Sequence, residues 1–137
     1  MQQYGFHFAY RLYGGEPTIR EFYFKDSETL TKGDLVNLES GEVDLAVTGD
    51  TALLGAVVET KTGTDSTTEI KVICDPDAVY AVYDANARLM GATLDITGTT
   101  GAMTVTTSSN TDVIVVANSA ADEPTLVMID PGLHPLI

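Results

Sequence analysis

The stretch LTKGDLVNLESGEVDLAVTGDTALLGAVVE, residues Leu30–Glu59, carries the densest structural signal in the chain. It consists of short apolar-rich runs separated by Lys-Gly-Asp, Ser-Gly-Glu and Thr-Gly-Asp. Glycine followed by an acid favours a tight turn, because glycine adopts positive φ and aspartate tolerates or caps the bend. The run Leu53–Val58 is continuously apolar, which predicts a strand covered on both faces. The stretch therefore predicts a small β-barrel or sandwich, and it contains no nucleophile, base or metal-binding cluster.

The rest of the chain repeats this pattern of short strands and polar turns, which is typical of a barrel or sandwich. Asp84–Gly91 is the one helix-like piece, because Asp84 can cap a helix and Gly91 can end it. The sequence thus predicts an all-β fold with one short helix. The predicted strands cover about residues 35–38, 42–47, 53–60, 69–74, 78–83, 92–96, 102–107, 111–117 and 125–130.

The aromatic residues concentrate at the N-terminal end of the chain. Period-two spacing predicts that Tyr4, Phe6, Phe8 and Tyr10 share one face of an extended segment, with residues 18–25 as its hairpin or sheet partner. This segment is either a core strand or an arm that buries its aromatic side chains against a partner subunit. Eight aromatic residues precede residue 25: Tyr4, Phe6, Phe8, Tyr10, Tyr13, Phe22, Tyr23 and Phe24.

The C-terminal segment PGLHPLI contains two prolines, which disfavour a central strand. An extended arm or lid is therefore predicted from residue 131 onward. The length of 137 residues suits one domain with a proper core, or one domain plus an arm. The predicted organisation is an N-terminal aromatic arm and hairpin over residues 1–25, a β-barrel or sandwich over 26–130, and a tail over 131–137.

The chain is strongly acidic, with 20 acidic and 7 basic residues and a formal net charge of −13. Direct nucleic-acid binding requires clustered bases, and the same lack of bases disfavours an anionic membrane surface. The acidity serves either solubility or docking onto a basic or polar protein surface. The N-terminus lacks a signal-peptide pattern, and no apolar run reaches the ~18 residues of a membrane span.

Residue types that carry chemistry are few. His7 and His134 are the two histidines, and no nucleophile-elbow sequence accompanies them. Asp75-Pro76-Asp77 could offer calcium ligands, but proline after aspartate favours a turn. Cys74 is the single cysteine and is expected to be a buried apolar residue. We therefore predict a protein that is not an enzyme and has no cofactor or metal site.

A series of short motifs follows one another in a characteristic order. These motifs are Gly5-Phe6 with Arg11, Gly33-Asp34-Leu35-Val36, Gly49-Asp50, Leu54-Gly55-Ala56-Val57-Val58 and Asp75-Pro76-Asp77-Ala78-Val79-Tyr80. In this order, and with the short helix-like piece and the Thr- and Gly-rich stretch that come next, the sequence resembles the decoration, or cement, proteins on the heads of tailed bacteriophages. The resemblance covers about three-quarters of the chain.

The resemblance implies a non-enzymatic virion protein on the outer capsid surface, made in the host cytoplasm. Its partners would be the major capsid protein, whose neighbouring subunits it would clamp, and further copies of itself, with a trimer favoured. The alternative is a receptor- or glycan-binding β-domain of a virion surface or fibre, which the Thr- and Ser-rich loops favour. The residues expected to contact partners are Tyr4, Phe6, Phe8, Tyr10, Arg11, Tyr13, Leu133, His134 and Leu136.

Overall fold

The structure of the protein is a computed structural model that describes residues 4–107 and 110–136. Strands joined by turns and loops run along the whole described chain, and one short 3-10 helix covers Pro131–Leu133. The fold is therefore all-β, as predicted. The strands are β1 His7–Arg11, β2 Ile19–Phe24, β3 Glu28–Leu30, β4 Leu35–Glu39, β5 Glu42–Leu45, β6 Leu53–Ala56, β7 Lys61–Gly63, β8 Glu69–Ile73, β9 Ala78–Asp84, β10 Thr93–Thr97, β11 Thr104–Thr107, β12 Val113–Val115 and β13 Glu123–Ile129.

The strands assemble into two large sheets and a two-stranded ribbon. The six-stranded sheet has the order β1-β9-β13-β12-β10-β11 and is antiparallel throughout. The five-stranded sheet has the order β6-β4-β5-β2-β8, in which β2 and β5 run parallel. A single bridge between Val57 and Val72 links the two ends of this sheet. Because no continuous ladder closes either sheet in the described residues, the architecture is sandwich-like rather than a closed barrel.

Two apolar clusters form the core. The first is shared by both large sheets and includes Phe6, Tyr80 and Val127. The second draws only on strands of the five-stranded sheet, the ribbon and the segments beside them, and it includes Phe24 and Ile70. Strand β6 contributes to both clusters, so all four of its residues are buried, as its continuous apolar run predicts.

Gly55, in β6, lies against the backbone of Ile73, the last residue of β8. A Cβ atom at this position would lie 1.8 Å from the carbonyl oxygen of Ile73 and 2.8 Å from the hydroxyl of Tyr80. That hydroxyl accepts a hydrogen bond from the amide of Ala56 at 3.3 Å. Glycine is therefore required at residue 55 because the neighbouring backbone leaves no room for a side chain.

The predicted strands between residues 35 and 130 are confirmed, but the predicted helix is wrong. Asp84 is the last residue of β9, and its carboxylate accepts hydrogen bonds from the Asn86 amide and from the Arg88 guanidinium. The backbone of Arg88 exchanges two hydrogen bonds with Ser119. These backbone groups are therefore committed to a non-local bridge and are unavailable for the i to i−4 bonds of a helix.

The predicted pairing of the two N-terminal strands is also wrong. β1 is hydrogen-bonded to β9 in the six-stranded sheet, whereas β2 lies between β5 and β8 in the five-stranded sheet. The connection between β1 and β2 passes from one sheet to the other instead of forming a hairpin. The division of the chain at residues 25 and 130 stays a prediction.

Part of the acidity is structural, because buried aspartate side chains accept hydrogen bonds from backbone amides. Asp34 accepts from the amides of Thr31 and Gly101, and Asp112 accepts from the amides of Gly49 and Ile96. A buried carboxylate needs such donors to offset its loss of water. Six aspartates among the described residues are buried: Asp34, Asp75, Asp77, Asp84, Asp95 and Asp112.

Candidate interaction surface

The end of β1 is fixed by the turn that Asp75-Pro76-Asp77 forms. The predicted turn is confirmed, with the Ala78 amide donating to the carbonyl of Asp75 at 3.2 Å. Nε of Arg11 donates to Asp77 Oδ1 at 2.9 Å, and the second oxygen of Asp77 accepts from the amide of Tyr13 at 3.2 Å. Nη2 of Arg11 lies 3.7 Å from Asp75 Oδ1. The two aspartates therefore hold the segment after β1 against the body of the protein.

Electrostatics at this turn favour the ionised form of Asp77. Burial alone raises the pKa of its carboxyl group, but the hydrogen bonds from Arg11 and Tyr13 and the charge of Arg11 outweigh burial and hold that pKa below its ordinary value. Asp77 and Arg11 thus form a structural ion pair, and the Asp77 carboxyl group is not poised to donate a proton.

The aromatic side chains of the N-terminal segment do not share one face. Phe6 is buried and forms an edge-to-face contact with Tyr80, whose ring centroid is 6.5 Å away. Phe8 is half-buried against the shared core, whereas Tyr10 is 42% exposed. The register of β1 against β9 shifts between Phe8 and Tyr10, and this irregularity breaks the predicted alternation.

The most exposed part of this segment follows β1. Tyr13 is 85% exposed and Leu12 is 44% exposed, although the backbone of each donates a hydrogen bond to Asp77. Tyr4, which is 40% exposed, packs edge-to-face on Tyr83 with the ring centroids 5.6 Å apart. The segment therefore presents apolar side chains from a fixed backbone, which lowers the entropy cost of binding a partner.

The C-terminal tail is attached to the body and is not a free arm. Leu133 packs against the shared core, and His134 is buried. Nδ1 of His134 accepts the amide of Leu136 at 3.1 Å, while Nε2 is buried near the backbone of Leu54 without a hydrogen bond of standard geometry. Burial lowers the pKa of His134, because the charged imidazolium would lose its hydration there. Leu136 is 47% exposed.

A groove lies beside β1, with an approximate volume of 380 Å³. Most of its lining residues are apolar, and Lys32 and His7 are its two basic side chains. Nε2 of His7 lies 2.8 Å from the carbonyl oxygen of Tyr4. The lining residues are Phe6, His7, Phe8, Lys32, Gly33, Ala56, Val57, Val58 and Ile73. The groove adjoins the N-terminal segment, so both belong to one candidate interaction surface.

The residues expected to contact partners thus divide into two groups. Phe6 and His134 are buried within this chain, and the side chains of Arg11, Phe8 and Leu133 serve internal contacts. The accessible members are Tyr4, Tyr10, Tyr13 and Leu136. Both terminal segments approach Asp75. Arg11 contacts the Asp75 carboxylate, and the negative charge of Asp75 acts to raise the pKa of His134, against the larger effect of burial. Whether these side chains contact a partner stays a prediction.

Other features of the surface were missed by sequence reasoning. Leu89 and Met90, which fell within the predicted helix, are 72% and 71% exposed. Alternation of apolar and polar residues could not identify them, because they lie in an irregular loop.

Cys74 is buried as expected, and burial raises the pKa of its thiol. In the described ranges, no group of three or more His, Cys, Asp or Glu side chains is arranged to hold a metal ion. No described helix is long and apolar enough to cross a membrane.

Comparison with protein-family models and with curated proteins gives no match. Among solved structures, the head fiber gp8.5 N base of bacteriophage phi29 is similar, with a TM-score of 0.53 and 17% sequence identity. The similarity covers 85% of this chain and 98% of that chain. At this identity the likeness establishes a shared fold, which extends over nearly all of the phage protein's base.

Proposed function

We propose that this protein is a structural component of a bacteriophage virion that binds the outer surface of the head and clamps neighbouring subunits of the major capsid protein. The observation that carries the proposal is the fold, which is similar over 85% of the chain to the N base of a phage head fiber. The order of motifs, from Gly5-Phe6 to Tyr80, supports a head-surface role independently of that comparison.

The candidate interaction surface supplies contacts of the kind that such a role needs. Tyr10 and Tyr13 are exposed aromatic side chains, and exposed tyrosines on a fixed backbone are frequent anchors in protein interfaces. The pair of Arg11 with Asp77 restrains the backbone that carries them. Many copies bound to a repetitive shell would add modest contacts through multivalency.

The direct test is binding of the purified protein to heads of the parental phage made without it. We expect wild-type protein to co-sediment with these heads and to raise their resistance to heat. Tyr13→Ala is expected to weaken binding about tenfold or more, as for an interface anchor. Tyr23→Ala is the matched control, because Tyr23 is 45% exposed but lies on β2 in the other sheet.

The outcomes separate clearly. Heads that neither bind the protein nor gain heat resistance from it would contradict the proposal. Binding that Tyr13→Ala and Tyr23→Ala leave equally intact would retain the head-surface role but remove the N-terminal segment from the contact.

The second candidate function is the base of a receptor- or glycan-binding fibre. The similarity to the N base of a head fiber favours this candidate specifically, because that neighbour is itself part of a fiber. Glycan-array binding that persists without any effect on head stability would favour the fibre function over clamping.

A further inference from the structure

Strand β1 is the terminal strand of the six-stranded sheet, so one of its backbone edges has no neighbouring strand among the described residues. Alternate residues of an antiparallel strand direct both their amide and their carbonyl at the partner strand. The Leu12 amide donates to the Asp77 carbonyl at 2.8 Å. Counting in twos along β9 from Asp77 leads to Ala81, whose partner on β1 is His7. Phe8, the next residue, therefore directs its amide and carbonyl away from β9. This side of β1 is called the open edge.

The open edge is only partly occupied. Phe6, which faces the same way as Phe8, donates its amide to the carbonyl of Gly33 at 2.6 Å. Within the described ranges, neither backbone group of Phe8 has such a partner. The groove beside β1 lies at this position, because Phe8 and Val58 both line it. The amide of Val58 already donates to the carbonyl of Lys71, so it is Phe8 that offers unpaired backbone groups to an occupant.

The groove differs in charge from the chain as a whole. Its lining residues include none of the 20 acids, but they include Lys32 and His7. Lys32 forms no ion pair with any described residue, whereas Arg11, Lys25 and Arg88 are each paired with an acid. An unpaired ammonium group beside apolar side chains favours an occupant that carries a carboxylate.

The imidazole of His7 is held in the wall of the groove. A Cβ atom on Gly33 would lie 2.9 Å from Cε1 of His7, so glycine at residue 33 leaves the space that the ring fills. Nε2 of His7 lies 2.8 Å from the carbonyl oxygen of Tyr4, which can only accept, so this nitrogen carries the proton. The wall is therefore in place before a partner binds, which lowers the entropy cost of binding.

The open edge and the charge of the groove together specify an occupant. An extended polypeptide can exchange hydrogen bonds with the amide and carbonyl of Phe8, as an added strand does. Its apolar side chains would contact the valine side chains of the groove, and one carboxylate would pair with Lys32. Further acids would be repelled by a chain of net charge −13. We propose that the groove binds an extended, mainly apolar segment of a partner polypeptide that carries a single carboxylate, added as a strand at the open edge. The inference deepens the proposed function and rests on it for the origin of the partner, a virion protein.

Hydrogen exchange of the full chain tests the open edge. In the free protein the Phe8 amide should exchange faster than the His7 amide, which lies in the ladder with β9. The probe is a blocked synthetic peptide of about seven residues, in which valine alternates with threonine around one central glutamate. At about 1 mM this peptide should slow exchange at Phe8 about twofold or more. A Phe8 amide that is protected in the free protein at every protein concentration overturns the inference. Protection that grows with protein concentration would assign the open edge to a second copy of the chain, and the inference would again be wrong.

Lys32 provides the test of charge. A second peptide has glutamine in place of the glutamate, and chemical-shift titration of the labelled protein measures the Kd of each. The glutamate peptide should bind about two- to fivefold more tightly, as expected for an exposed ion pair. Lys32→Ala should remove this preference and leave the affinity for the glutamine peptide unchanged. Lys25→Ala is the matched control, because it removes the same charge from a side chain that pairs with Glu39 at 2.7 Å and does not line the groove.

The remaining outcomes separate the inference from the proposed function. If neither peptide changes the Phe8 resonance, or if both bind the wild type equally, the inference is wrong. Peptide binding by a protein that does not bind phage heads would contradict only the proposed function. Head binding that neither peptide inhibits, and that Lys32→Ala leaves unchanged, would retain the proposed function and overturn the inference.

Discussion

Nε of Arg11 donates a hydrogen bond to Oδ1 of Asp77 at 2.9 Å, which joins the end of the first strand to the turn before the ninth. The two residues are 66 positions apart, yet the same aspartate also receives the amide of Tyr13. One buried carboxylate therefore helps to determine where the exposed side chain of Tyr13 is presented after β1.

Asp77→Ala is expected to release the segment after β1. The substitution leaves the Tyr13 amide and the Arg11 guanidinium without their acceptor, and loss of a charge-assisted hydrogen bond costs about 1–3 kcal/mol. Limited proteolysis with chymotrypsin should then cleave after Leu12 or Tyr13 faster than in the wild type. Asp65→Ala, in an exposed loop, is the control. Equal cleavage rates in Asp77→Ala and wild type would show that other contacts hold the segment.

The same pair gives a pH dependence with a defined sign. The pKa of Asp77 is lower in the folded state than its ordinary value of about 3.9. The contribution to stability is therefore present above that ordinary value and is lost as pH falls through the folded-state pKa. The difference in unfolding midpoint between wild type and Asp77→Ala should shrink at acidic pH.

Gly55→Ala is expected to be severely destabilising. The added methyl group would overlap the Ile73 carbonyl oxygen, so β6 must move away from the backbone it contacts. Overpacking of this kind costs about 3 kcal/mol or more when backbone has to shift. Urea denaturation of Gly132→Ala provides the control, because a Cβ there meets nothing closer than 3.8 Å. Similar midpoints for the two variants would contradict the close approach at Gly55.

Asp44→Asn is expected to stabilise the protein at neutral pH. One oxygen of Asp44 is buried without a hydrogen bond, and burial raises the pKa of this carboxyl despite the opposing charge of Lys25. The ionised form therefore costs stability above the folded-state pKa, and that cost disappears as pH falls. Thermal unfolding should show a midpoint a few degrees higher at pH 7 and a smaller gain near pH 4. A lower midpoint at pH 7 would contradict the prediction.

Protonation of His134 is expected to loosen the C-terminal tail. Its pKa is lowered by burial, so its contribution to stability is present above the ordinary value of about 6.5 and is lost as pH falls below it. The Leu136 amide donates to the imidazole of His134. After correction for the intrinsic effect of pH on exchange, the rate of hydrogen exchange at this amide should be higher at acidic pH than at neutral pH. His134→Gln should remove this excess, whereas His7→Gln should retain it. An excess that persists in His134→Gln would assign the effect to another group.

Local sequence determined where the strands and turns lie. Alternating and continuous apolar runs predict β4, β5, β6, β8 and β9 because side-chain periodicity is a property of neighbouring residues. The Asp75-Pro76-Asp77 turn is likewise local, since proline restricts its own backbone. The same local reasoning predicted a helix at Asp84–Gly91, and there it failed. The backbone of Arg88 forms its hydrogen bonds with Ser119, which is 31 residues farther along the chain.

Only the tertiary structure decided which strands are neighbours and which acids are buried. Nothing in the aromatic pattern of residues 4–13 specifies β9 as a partner, because pairing depends on burying Phe6 against Tyr80 far along the chain. The acidic composition likewise could not separate solvated carboxylates from the buried Asp34 and Asp112. By itself the sequence determined an acidic, all-β protein with Gly-acid turns. The non-local packing then placed Tyr13 at an exposed site and buried His134, because burial is a property of the assembled chain.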